Sequence, residues 1–169
     1  MFENLLNLVK EHAGESIINN PAIPNERNDE AVHAASTSIF DGLKHAISSG
    51  NIGDLTSLFN GGGGNVSSSP VTQGIQSNFI QTLMSKFGLN QSQATSTAGS
   101  LIPNVLQKLV HKTNDSNDSS FDISSILGSL TGGGSGGGFD LQSLIGKFTG
   151  GGGTQGGGGL MDNIKGLFN

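Results

Sequence analysis

Glycine placement constrains this chain more than any other feature. Of its 28 glycines, 16 fall in residues 131–169 and 12 in residues 1–130. A glycine run loses the most backbone freedom on ordering and has no side chain to bury, so the last quarter of the chain cannot build a core. Glycine usage before residue 131 is close to that of an ordinary globular domain. The core is therefore expected within the first 130 residues.

Between the glycine tracts lies a repeat. Phe121-Asp122-Ile123-Ser124-Ser125-Ile126-Leu127-Gly128-Ser129-Leu130-Thr131 precedes one tract, and Phe139-Asp140-Leu141-Gln142-Ser143-Leu144-Ile145-Gly146-Lys147-Phe148-Thr149 precedes the next. A looser copy, Leu160-Met161-Asp162-Asn163-Ile164-Lys165-Gly166-Leu167-Phe168, comes last, and Asp54-Leu55-Thr56-Ser57-Leu58-Phe59 is a partial match before Gly61. Each copy has an Asp suited to a helix start and apolar residues at helical spacing. A helix of about ten residues is marginal alone in water, so each unit needs a surface to dock on: its own core, another copy, a neighbouring subunit or a membrane. Ile123, Ile126, Leu127, Leu141, Leu144, Ile145, Phe148, Ile164, Leu167 and Phe168 are the candidate self-association residues.

The rest of the pattern is helical, and no segment alternates with period two long enough to argue for a strand. Phe2, Leu5, Leu6, Val9 and Ala13 predict a helix over 2–13, ended by Gly14. The stretch Asn19-Asn20-Pro21-Ala22-Ile23-Pro24-Asn25 reads as a rigid extended connection, because each proline pushes its predecessor out of helical space. A long helix is expected from about Asn28 to Ser49, capped by Asn28 or Asp29 and stopped by Gly50. Its stripe is Val32, Ala35, Ile39, Leu43, Ala46 and Ile47, with Ser38 on the outer side. A short helix over 52–59 follows. Then comes a stripe of Val71, Ile75, Phe79, Ile80, Leu83, Met84 and Phe87, with Gly88 as its cap. A last helix over about 92–111 contains Pro103, which predicts a kink or two abutting helices. The expectation is an all-α domain of five to six helices over 1–112, a polar linker over 113–120 and a tail of short amphipathic helices over 121–169.

Composition excludes several functions. Without cysteine there is no disulfide, thiolate nucleophile or cysteine metal site. The net charge of −5 resides entirely in residues 1–60, and residues 61–169 are balanced. With no basic patch and neither Trp nor Tyr to stack on bases, nucleic-acid binding is not expected. No apolar run reaches the length of a membrane span. Glu3 and the lack of a basic start argue against a secretory leader, so a cytoplasmic location is expected.

Gly88-Leu89-Asn90-Gln91-Ser92-Gln93-Ala94, then Leu101-Ile102-Pro103-Asn104-Val105-Leu106-Gln107-Lys108-Leu109, then a polar break before Phe121-Asp122-Ile123 resemble the YidB-like bacterial family. Asn20-Pro21-Ala22-Ile23 followed by the helix ending in Asp41-Gly42-Leu43 is similar to its N-terminal half. The resemblance covers roughly residues 1–130 and implies an all-helical domain of unknown function, with no catalytic residues to carry over. The glycine-rich tail and the missing tryptophan depart from the family pattern.

Three local motifs touch known chemistry. Glu30-Ala31-Val32-His33 has the Glu-x-x-His spacing of helix-borne di-iron ligands, but no other histidine has a Glu three residues before it. Asp115-Ser116-Asn117-Asp118-Ser119 resembles the start of a calcium loop, yet Ser120 replaces the sixth-position Gly and Ile126 the twelfth-position Glu. The glycine tracts never continue into the Gly-Lys-Ser/Thr of a phosphate loop. The chain therefore reads as a non-enzymatic structural or interaction protein without a cofactor, binding itself or another protein through the tail repeats. Two alternatives stand beside this reading. One is a peripheral membrane regulator, disfavoured because Lys147 and Lys165 only balance Asp140 and Asp162. The other is a metal-binding helical protein using Glu30 and His33.

Overall fold

Among the described residues the long helices are α1 (Phe2–His12), α2 (Asn28–Ser48), α3 (Ile52–Asn60), α4 (Pro70–Phe87) and α5 (Gln91–Asn114). The computed structural model describes residues 2–60 and 66–115, together with Phe121, Ile126, Gly128 and Leu130. Among the described residues there is no strand, and the fold is all-α. Chain contacts divide the molecule into two units, Met1–Gly138 and Phe139–Asn169; the second lies outside the described residues.

The 21-residue α2 is the centre of the first unit, packing against α1, α3 and α4. Its buried set includes Ala31, Ser36 and Ser38 besides the expected stripe, because neighbours cover it from several sides. Ser38, expected on the outer side, is only 4 % exposed. The buried Ser36 hydroxyl is satisfied within the helix, donating to Val32 O at 2.9 Å. Neither Asn28 nor Asp29 caps α2 through its side chain. Its end follows the expectation: Gly50 has φ 76°, its N–H donates to Ile47 O, and Asn51 N–H donates to Ala46 O, the paired bonds of a Schellman cap.

Gly14 does not end the first helical path. It opens a π-helical turn, Gly14–Ile18, in which Ile18 N–H donates to Ala13 O and Asn19 N–H to Gly14 O. Ala13 and Ile17 are both fully buried there, so tertiary packing holds a wider turn than the pattern implies. Leu8, missed by the stripe, is in the core, whereas Leu6 is half-buried. The proline-rich connection is folded rather than extended. Asn20 Oδ1 accepts from Ala22 N–H, and its Nδ2 donates to Ser16 O and to Thr97 Oγ1 of α5.

Capping explains the α4–α5 corner. Gly88 has φ 71°, a left-handed conformation open to glycine at little cost. Asn90 then caps α5 reciprocally with Gln93: Gln93 N–H donates to Asn90 Oδ1, and Asn90 N–H donates to Gln93 Oε1. Pro103 lies inside one continuous helix rather than between two. The Asn104 side chain donates to Ser100 O at 2.8 Å, in the turn that holds the proline. On α4, Val71, Ile75, Phe79, Leu83 and Phe87 are buried as expected, while Met84 is 40 % exposed.

Candidate functional site

Glu30 and His33 do share one helix face, but each is engaged by the protein. The Arg27 guanidinium donates through Nε and Nη2 to both Glu30 carboxylate oxygens, at 2.9 and 3.0 Å. Its Nη1 donates to Lys86 O, and the group lies 4.4 Å from the centroid of the Phe87 ring. This two-pronged side-chain hydrogen bond, with a smaller charge attraction, holds the Glu30 carboxyl below its usual range against the opposing pull of desolvation. Arg27 is raised by the same bond. The network ties the start of α2 to the end of α4. His33 contacts the Phe2 ring at 5.3 Å between centroids and lies 3.4 Å from Thr37 Oγ1. Among the described residues, no three metal-ligating side chains stand together. Of the calcium-like stretch, Asp115 ends α5 and residues 116–120 lie outside the described residues.

Along the α2–α4 seam run two adjoining depressions, about 390 and 560 Å³, that share Asp41 and Asn78. Asp29, Asp54 and Lys86 contribute their remaining charge besides Glu30. The helices meet closely here because α2 has no side chain at Gly42; a Cβ there would overlap Ile75 Cγ1.

The first tail repeat behaves differently from a free spacer. Phe121, Ile126 and Leu130 are 3 %, 4 % and 2 % exposed, as deeply buried as core residues of α2. Phe121 shares a small cavity with Asn4, Asn7, Leu8 and Glu11 of α1 and Lys112 of α5. Ile126, Gly128 and Leu130 have helical backbone, so Ile126 and Leu130, four residues apart, fall on one helix face. α5 runs to Asn114, two residues past the expected end of the helical region.

The partial copy in α3 is docked too. Leu55, Leu58 and Phe59 are buried, and α3 meets α2, α4 and α5. Asn114 Nδ2 of α5 donates to Phe59 O at 2.8 Å. Of the ten candidate self-association residues, Ile126 is buried within its own chain. Ile123, Leu127, Leu141, Leu144, Ile145, Phe148, Ile164, Leu167 and Phe168 lie outside the described residues. Sequence reasoning missed Phe121 and Leu130. The signal was present, since an aromatic heads both full copies and the apolar position four residues after Ile126 recurs as Phe148.

No protein-family model, curated protein or solved structure matches the chain.

Proposed function

We propose that this is a non-catalytic interaction protein that associates with itself through the short amphipathic repeats of its tail. The observation that carries the reading is the burial of Phe121, Ile126 and Leu130: a repeat from this tail is a docking element. Two further copies on glycine spacers make the chain multivalent for the same kind of contact, and linked copies raise avidity without new chemistry. The engagement of Glu30 by Arg27 favours this reading over the metal-binding alternative.

The test is a pair of double variants in the full chain, compared by light-scattering mass over a concentration series. Helical spacing groups Leu144 and Phe148 on one face of the second copy and sets Gln142 and Ser143 mainly on another. Leu144→Asp with Phe148→Asp is expected to lower the associated mass. Gln142→Asp with Ser143→Asp adds the same charge and is expected to leave it nearly unchanged. Equal masses for wild type and both variants would remove the basis for the proposal.

A further inference from the structure

Asn60-Gly61 is the one Asn-Gly pair in the chain. Asparagine is among the chemically labile residues, because the backbone nitrogen of the next residue can attack its side-chain carbonyl and close a cyclic imide. Glycine at that next position hinders the attack least, having no Cβ and the widest choice of backbone angles. The fold leaves Asn60 open to this chemistry. It is the last residue of α3, it is exposed, and its side chain makes no hydrogen bond among the described residues. A helix end is also where local opening costs least. Asp41-Gly42 offers the same ring closure in its aspartate form, but it lies well inside the 21-residue α2. There the helical ladder fixes the backbone, and Gly42 is packed against Ile75.

We infer that Asn60 is a site of spontaneous modification, deamidating through a succinimide to aspartate and isoaspartate. The Gly61 nitrogen bonds to Asn60 Cγ, the Cγ–Nδ2 bond breaks, and the amide nitrogen leaves as ammonia carrying the proton that Gly61 gives up. Water then opens the ring. Opening at Cγ restores the ordinary main chain with an aspartate. Opening at the backbone carbonyl leaves the main chain running through Cγ, one atom longer, as isoaspartate. The reaction needs no oxidant and no cofactor. Either product puts a carboxylate at the C-terminus of α3, the negative end of the helix dipole. It stands beside Phe59, whose carbonyl accepts from Asn114 of α5. The modified chain should therefore hold the end of α3 to α5 less firmly than the parent.

The test is to age the purified full chain at mildly alkaline pH, where the attacking amide gives up its proton more readily, and to map it by mass spectrometry with isoaspartate-specific fragmentation. The one-dalton gain of deamidation is expected at residue 60 before any other asparagine, with isoaspartate among the products there and none at residue 41. Gly61→Val leaves Asn60 in place and is expected to slow the gain by roughly tenfold or more, since a branched side chain restricts the attacking backbone. A free peptide of residues 56–65 is aged alongside. No gain at residue 60 while the peptide deamidates, a gain that comes first at another asparagine, or an equal rate in Gly61→Val overturns the inference. The consequence for α3 is read separately by hydrogen exchange at neutral pH. Asn60→Asp is expected to speed exchange over residues 55–60, and Asn60→Gln to leave it near wild type. Equal exchange in the two variants would remove the loosening of α3.

Discussion

Two copies of one short pattern are docked in this molecule, and they are tied down differently. In α3, Asp54-Leu55-Thr56-Ser57-Leu58-Phe59 is joined to α2 through the cap at Gly50 and braced by Asn114 against α5. In the first tail repeat, Asp122 is followed by the same spacing, and Ile126 stands where Leu58 does; both are 4 % exposed. Equal burial does not mean equal commitment. α3 is threaded through the chain's middle, so it cannot leave without disrupting its neighbours. The tail repeat joins the body on its N-terminal side, through residues 115–120, and leads on into glycine. One amphipathic unit is thus threaded through the body in one place and appended after its last long helix in another.

The largest effect is expected at the structural copy. Phe59→Ala removes a buried aromatic and should cost ~3–5 kcal/mol, a large part of a typical domain stability of ~5–15 kcal/mol, seen as a marked fall in melting temperature. Ile126→Ala removes a side chain buried to a similar depth, but the repeat can detach locally before the body unfolds. It should lower the melting temperature much less while speeding hydrogen exchange in residues 121–130. Comparable losses of melting temperature at both sites would erase the distinction.

A change beneath neither copy sharpens it. Gly42→Ala forces a Cβ against Ile75 and should cost ~1–3 kcal/mol as the α2–α4 crossing is pushed apart. Both the melting of the body and its chemical-denaturation midpoint should fall, while exchange in residues 121–130 stays at its wild-type rate under native conditions. Faster exchange there would mean that the repeat is welded to the body.

Thr72 offers a smaller effect of opposite sign. Its hydroxyl is fully buried and finds no hydrogen-bond partner among the described residues. Thr72→Val keeps the shape and removes an unsatisfied polar group, so stability should rise by up to ~1 kcal/mol, read in urea midpoints. A loss would point to a partner for the hydroxyl.

The smallest effect belongs to Arg27 and Glu30. Glu30 is lowered in the folded chain, first by the Arg27 hydrogen bond. Its contribution is therefore present above the ordinary carboxylate range and lost as pH falls through the lowered value. Glu30→Gln should be slightly less stable than wild type at neutral pH and indistinguishable from it in acid. Solvent screens so exposed a pair, so the gap should also shrink in high salt. A gap that persisted in acid would show that charge is not its source.

Helix identity was legible along the chain because local signals agree: the apolar stripes of α2 and α4, and Gly50 and Gly88 after their helices. The repeat was legible as well, together with its need for a surface. Three features were decided only by the tertiary structure. Ser38 and Leu8 became core residues because α2 and α1 are covered from directions that a single stripe cannot reveal. The path beyond Gly14 widened into a π turn because Ala13 and Ile17 are both buried. Gly42 became a close-packing position because another helix arrives there, and periodicity says nothing about which residue a neighbour will meet. The same reason governs the candidate site. Spacing within one helix placed Glu30 and His33 on a face, but not the guanidinium that occupies Glu30. It marked Ile126 as a docking residue, but only the tertiary structure showed that this side chain is buried within its own chain.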